Sequence, residues 1–422
     1  MAQIHPDPHP ESTSHPRPPA APPAPFGAGG PADAALPASG AWRPGDDPGR
    51  RQFVEVATPD RPFPLEGGGT LPSVVMVYET WGTLSAAADN AVLVCHALTG
   101  DSHAAGAAGH GHPTPGWWDD LIGPGRVLDT DRWFVVCVNV LGGCQGSTGP
   151  SSIDPTTGSP YGSRFGVVTI RDIVRAQRAV ADHLGIGSWA AVVGGSMGGM
   201  VALEWAVMFP ERVRALASIA SCAQASALQI AWSAVERRAI AADPAWRGGD
   251  YYDAPPGGGP HRGLALAREV GQITYRTGPV LEDRFGRSEV DPMDDALTLW
   301  QRFDVEGYLD HHGTKLVRRF DANSYLVLSR AMDLHDVGRG RGGVAAALAR
   351  VTARCAVLSI DSDLLYPPDQ QTALAAGLRD GGAVVVESTI TSPHGHDAFL
   401  LEPAQVGTAL TRLLEEATDD AQ

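Results

Sequence analysis

A serine, a carboxylate and a histidine, each set just beyond an apolar run, are the groups in this chain equipped for covalent chemistry. Ser196 lies in Val192-Val193-Gly194-Gly195-Ser196-Met197-Gly198-Gly199-Met200. That pattern is a buried strand, a Gly-x-Ser-x-Gly turn and the opening of a helix, which together form a nucleophile elbow. Glycine is required beside the serine because side chains there would collide with the adjoining strand and helix as the turn tightens. A serine hydroxyl is a poor nucleophile near neutral pH, so Ser196 needs a base that a carboxylate orients. The chemistry implied is acyl transfer through an acyl-serine. A phosphate-binding loop is excluded, because no Gly-Lys-Ser/Thr follows the glycines.

The partners of such a serine come later in the chain, on loops that follow strands. After the apolar run 356–360 stand Asp361 and Asp363. Asp363, further into the loop, is the better placed to reach a histidine, with Asp361 as its competitor. After the run 383–387 stand His394 and His396. His396 opens a helix-like stretch and is followed by Asp397, so it is preferred as the base over His394. The oxyanion of a tetrahedral intermediate needs donors. The Met197 N–H, just past the nucleophile, is one, and the Leu98 N–H, in the loop after an early strand, is the other. His96 in that same loop is expected to be structural. His103, His110 and His112 sit in a glycine-rich loop without zinc-type spacing, so no metal is expected.

These groups need a scaffold of buried strands. β-Branched apolar runs recur at 74–78, 91–95, 133–138, 190–193, 215–219, 356–360 and 383–387. Runs this continuous, separated by helical stretches such as 170–184, indicate an α/β fold with a mostly parallel sheet covered on both faces. Between about 226 and 322 the alternation gives way to helical patterning, at 228–241, 264–275 and 305–315, which predicts an inserted helical lid. Residues 1–50 are rich in proline, alanine and glycine with few large apolar residues, and are expected to form a disordered tail. The expected organisation is therefore a tail over 1–50, sheet domain over 51–225, lid over 226–322 and sheet domain again over 323–422.

The 422 residues carry a formal charge of −16 with no basic stripe, which argues against nucleic acid as a partner. The five cysteines form no C-x-x-C pair, and Cys95, Cys137 and Cys355 fall in apolar runs, as expected of reduced buried thiols. No segment is long and apolar enough to span a membrane, and no basic region precedes an apolar leader, so the expected compartment is the cytoplasm.

Several segments together resemble the homoserine O-acetyltransferases of methionine biosynthesis, members of the α/β-hydrolase superfamily. They are His96-Ala97-Leu98-Thr99-Gly100-Asp101-Ser102-His103, His112-Pro113-Thr114-Pro115-Gly116-Trp117-Trp118, Asn139-Val140-Leu141-Gly142-Gly143-Cys144 and Gly146-Ser147-Thr148-Gly149-Pro150. The elbow, Phe320-Asp321-Ala322-Asn323-Ser324-Tyr325, the His335-Asp336-Val337-Gly338-Arg339-Gly340 stretch and Gly395-His396-Asp397 complete the set. The resemblance extends from about residue 53 to 414 and implies the α/β-hydrolase fold. It implies ping-pong transfer from acetyl-CoA, a co-substrate rather than a resident cofactor, to the γ-hydroxyl of L-homoserine. By the same resemblance Arg268 holds the substrate carboxylate, Tyr275 assists and Asp397 contacts the amine, in a homodimer joined through the inserted helices. Succinyl-CoA as donor, serine as acceptor, an esterase with water as acceptor and a non-catalytic binding protein are the competing readings. The absence of an evident basic acyl-pocket residue favours acetyl, the clamp for an amino acid opposes the esterase, and the retained triad opposes the binding protein.

Overall fold

The structure is a computed structural model that describes residues 36–289 and 302–419. The seven apolar runs, joined by an edge strand at Gln52–Ala57 that was not among them, form one eight-stranded sheet. Its strands are β1 (Gln52–Ala57), β2 (Val74–Trp81), β3 (Ala91–Cys95), β4 (Phe134–Asn139), β5 (Ala191–Gly195), β6 (Ala215–Ile219), β7 (Arg354–Ile360) and β8 (Val385–Ile390). They lie in the order β1-β2-β4-β3-β5-β6-β7-β8. β2 is antiparallel to both its neighbours, and every pair from β4 to β8 is parallel. β3, β5 and β6 are buried along their whole length, which explains why they read as unbroken apolar runs rather than alternating ones.

Helices cover both faces. These are α1 (Ile170–His183), α2 (Met197–Met208), α3 (Ala227–Ala242), α4 (His261–Tyr275), α5 (Gly278–Phe285), α6 (Asp304–Val317), α7 (Ala322–Asp333), α8 (Val344–Leu348), α9 (Pro368–Asp380), α10 (Ala398–Leu401) and α11 (Pro403–Asp419). Alternate residues of a strand serve opposite faces. Leu93, Val192 and Leu216 pack with side chains of α1, α2 and α9, while Val94, Val193 and Ala217 pack with Val406 and Leu410 of α11. α1 is started by a capping box in which Thr169 and Asp172 satisfy each other's backbone amides.

The predicted helical insertion is present between β6 and β7, and it continues past the expected end at 322. α7 packs on α3, and α8 follows, before the chain re-enters the sheet. β8 begins two residues later than the apolar run suggested. Gly382 takes φ +97° and Ala383 N bonds back to Leu378 O at 3.0 Å, so these residues still close the end of α9.

The expected disordered tail requires a correction. Residues 1–35 lie outside the described residues, but from residue 36 the chain is folded against the molecule. Ala38, Ser39 and Ala41 are buried. Gly40 N bonds to Phe320 O and Trp42 N to Cys144 O. Ser39 donates to Asp321 at 2.7 Å, and Trp42 packs on Phe53. Small residues allow this segment to lie close against the 317–320 turn, a role that composition cannot register. All five cysteines are buried and free, including Cys144 and Cys222, which lie outside the strands.

Candidate active site

Ser196 joins β5 to α2 with φ 58° and ψ −125°, a conformation L-residues seldom adopt. Its amide donates to Ile219 O at 2.9 Å, at the end of β6, and its carbonyl accepts the Ser221 hydroxyl at 2.8 Å. The glycines at either side are a steric necessity. A Cβ on Gly194 would lie 2.3 Å from Gly198 O, and one on Gly198 would lie 2.1 Å from Cys95 O. The turn therefore presses directly on the loop after β3, which carries Leu98. Met197, the other residue expected at the oxyanion, is the first residue of α2.

The loops after β7 and β8 bring Asp363 and His396 to the serine. His396 Nε2 is 2.9 Å from Ser196 Oγ, and His396 Nδ1 is 2.7 Å from Asp363 Oδ2. The other Asp363 oxygen accepts the amides of Leu365 and Tyr366, each at 2.8 Å, so the carboxylate is aimed before the imidazole meets it. With Nδ1–H donated to Asp363, Nε2 presents its lone pair to the serine hydroxyl. All three side chains are nearly closed off, with Ser196 6%, Asp363 3% and His396 3% exposed. Rings of Tyr366, Phe399 and Tyr275 surround the imidazole at 5.0, 5.6 and 5.9 Å between centroids.

The two competing residues lie elsewhere. Asp361 is exposed and accepts the Ser392 amide at 3.1 Å, bracing the last loop. His394 is half-buried and lines a separate cleft with Arg276, Pro279 and Val280. His96 is structural: Nε2 accepts the Val140 amide at 3.1 Å and Nδ1 donates to Ala97 O at 2.8 Å.

Burial lowers the affinity of His396 for a proton, but the charge and hydrogen bond of Asp363 outweigh it, and the net displacement is upward. A base must be neutral to accept the serine proton. Activity should therefore rise as pH increases through the imidazole titration, with a midpoint of kcat/KM above the ~6.5 of free histidine. A pH–rate profile with that midpoint at or below ~6.5 contradicts the arrangement.

α4 runs beside the triad and carries Arg268 and Tyr275. The Arg268 guanidinium lies 5.3 Å from the Tyr275 ring centroid, and among the described residues no carboxylate stands within ion-pair distance of it. Asp397 is not free: Arg276 Nη2 holds its Oδ2 at 3.1 Å.

Sequence reasoning passed over Glu236. This carboxylate is buried, accepts the Tyr325 hydroxyl at 3.0 Å, and lines a small cavity with Leu98, Met200, Tyr275 and Tyr366. Burial pushes it up to about 7, against the pull of Tyr325 and Arg268. The available signal was helical spacing, since Gln229, Glu236 and Ile240 form the buried face of α3.

Two of the three loop histidines do converge, on Glu79. Ligand atoms of Glu79, His103 and His112 lie within 4.8 Å of one another. The two imidazoles are stacked 3.7 Å apart at 8°, so no single point lies in both ring planes, as two nitrogen–metal bonds would need. His112 Nε2 already accepts the Arg50 amide at 3.2 Å, while Glu79 accepts Ser102 at 2.9 Å and His103 at 3.0 Å. This is an internal hydrogen-bond network rather than a prepared metal centre. His110 is exposed, beside Asp47.

Comparison with known proteins agrees with this architecture. The family model described as alpha/beta hydrolase fold matches residues 90–403. The chain is 58% identical over 381 residues to homoserine O-acetyltransferase of Thermobifida fusca (strain YX), covering 90% of this chain and 98% of that one. Among solved structures, esterase E22 aligns at a TM-score of 0.78 with 31% identity, over 86% of this chain and 99% of that one. Homoserine O-acetyltransferase from Bacillus anthracis aligns at 0.77 with 29% identity, over 87% and 98%. The chain belongs to the α/β-hydrolase fold family and, within it, to the homoserine O-acetyltransferases.

Proposed function

We propose that this enzyme transfers an acetyl group from acetyl-CoA to the γ-hydroxyl of L-homoserine by a ping-pong route. The observation that carries the route is the Ser196–His396–Asp363 relay, with contacts of 2.9 and 2.7 Å inside an aromatic enclosure. His396 takes the Ser196 proton as Oγ attacks the thioester carbonyl. The oxyanion meets the N–H groups of Met197 and Leu98, each worth about 3–4 kcal/mol in the transition state. His396 then protonates the departing CoA thiolate, leaving acetyl-Ser196. In the second half, the homoserine hydroxyl gives its proton to His396 and attacks the acetyl carbonyl. Collapse releases O-acetyl-L-homoserine and returns the proton to Ser196.

Among the described residues no helix is long and apolar enough to cross a membrane. The role fits a cytoplasmic biosynthetic enzyme that holds no permanent cofactor and forms a homodimer. Leu228, Ile230 and Val235 on α3, with Leu266 and Ile273 on α4, are exposed and support the inserted helices as the dimer face. The structural likeness to an esterase makes acceptor choice the point to test. Purified protein given acetyl-CoA should release thiol turnover after turnover only when homoserine is present; without it, release should stop after the burst of the first acylation, and rapid quenching should trap that acetyl group on Ser196. Equal thiol release without homoserine supports a hydrolase, and an absent adduct removes the covalent route.

The Arg268 guanidinium, without an ion-pair partner among the described residues, is the proposed seat of the substrate carboxylate, with Tyr275 beside it and Asp397 as the candidate at the amine end. Removing a charged hydrogen bond costs about 1.5–3 kcal/mol. Arg268→Ala is therefore expected to raise the KM for homoserine roughly 10- to 150-fold, while turnover of simple aryl esters falls far less. Equal losses with both substrates contradict this role.

A further inference from the structure

The loop that carries Leu98 is a tight turn whose peptide groups are linked to one another. Gly100 N donates to Ala97 O at 2.9 Å, which closes a β-turn with Leu98 and Thr99 at its centre. Such a turn leaves the amide of its first central residue unused, and among the described residues no acceptor takes the Leu98 N–H. The C=O and N–H of a trans peptide point opposite ways, so pinning Ala97 O directs the Leu98 N–H. Ala97 O is pinned twice, since His96 Nδ1 also donates to it at 2.8 Å.

The Gly100 N–H belongs to the same peptide group as Thr99 O, and Thr99 O accepts Arg319 Nη2 at 2.6 Å. Arg319 sits in the turn between α6 and α7, within the helical insertion. That turn is braced from behind: Gln145 donates to Arg319 O at 2.6 Å, and Gly40 N to Phe320 O at 3.2 Å. The Arg319 side chain is 23% exposed, and its ion-pair contact, with Asp101, is long at 3.8 Å. Burial weakens its hold on the proton, against the pull of Asp101. A charge kept on such terms is costly unless its hydrogen bonds are made. The guanidinium, the Thr99–Gly100 peptide and the Ala97–Leu98 peptide thus form one hydrogen-bonded line, and in such a line each bond polarises the next.

We infer that Arg319 is a positioning residue for the oxyanion hole: acting through two peptide groups, it aims the Leu98 N–H and strengthens it as a donor. The contact is with the loop rather than with the triad. The inserted helices then do more than cover Ser196, because one of their turns completes the machinery that meets the oxyanion. The inference rests on the acyl-serine route proposed above, with Leu98 as its second oxyanion donor.

The test uses p-nitrophenyl acetate, which acylates a serine without CoA or homoserine, and methaneboronic acid, which forms a tetrahedral adduct on it. Arg319→Gln should lower kcat and kcat/KM for the ester together by about 30- to 100-fold, below the roughly 10²- to 10³-fold of deleting a donor outright. Affinity for the boronic acid should fall in the same proportion, and the pH midpoint set by His396 should not move. Arg319→Lys, which keeps the charge, should recover about tenfold of the loss. Ser39→Ala loosens the same turn through Asp321, and should lower the melting temperature while turnover stays within about threefold. A loss in Arg319→Gln below about threefold, a loss confined to KM, an unaltered boronate affinity or an equal loss of turnover in Ser39→Ala each overturns the assignment. If Arg319→Gln does not fold, Arg319→Lys decides: its boronate affinity should be about 3- to 10-fold reduced, and no reduction overturns the role. Acetyl-CoA separates the two levels. If it never acylates Ser196 while the ester and boronate effects appear as expected, the transfer reading alone fails. If it acylates Ser196 equally fast in Arg319→Gln and in the unaltered enzyme, the role of Arg319 alone fails.

Discussion

Replacing Ser196 by alanine is expected to lower kcat for acetyl transfer by about six orders of magnitude, as when one member of a nucleophile–base unit is removed. His396→Ala should be about as severe, and the double replacement little worse, because neither group works without the other. The expectation is strong because the geometry offers no substitute: His396 Nε2 points at Ser196 Oγ from 2.9 Å, and three aromatic rings close the space around it. Alanine tolerates the positive φ of the turn about as poorly as serine does, so folding should be retained, as a melting curve can verify. Thiol release from acetyl-CoA in a single turnover measures the effect. Activity retained within about tenfold would mean that homoserine attacks the thioester directly, with His396 as its base and no acyl-enzyme.

The second large effect concerns the two neighbouring aspartates. Asp363→Asn should reduce kcat about 10⁴-fold, because an amide in this place favours the wrong imidazole tautomer and withdraws the charge that stabilises the imidazolium. Asp361→Asn should stay within a few-fold of the unaltered enzyme, since that side chain is exposed and accepts one amide of the last loop. Asparagine can still make that contact. Steady-state assays of both variants decide the matter, and a reversed ranking would assign the carboxylate role to Asp361.

The sequence carried the sheet and the nucleophile well, for a physical reason. A strand buried on both faces must be apolar throughout, and a Gly-x-Ser-x-Gly turn pressed between strand and helix permits almost nothing else, so both leave local marks. The choices between Asp361 and Asp363 and between His394 and His396 were harder. Each pair lies two residues apart on one loop, and only the path of that loop decides which side chain turns inward. Glu236 and the Arg276–Asp397 pair were missed because the first depends on how α3 packs on α7 and the second on how the end of α4 meets the loop after β8, which no local pattern encodes. Residues 36–50 were misjudged for the same reason. Ser39 matters because Asp321 is nearby in space, although it is 282 positions away along the chain.

The backbone at Ser196, at φ 58° and ψ −125°, sets folding and turnover against each other at one position. Holding a side-chain-bearing residue there costs on the order of 1–3 kcal/mol, a cost glycine would not incur. A laboratory search for heat-resistant variants would therefore gain by putting glycine at 196, and every such gain would be inert. Robustness will have to come from elsewhere in the molecule, because relaxing this turn discards the hydroxyl it exists to present.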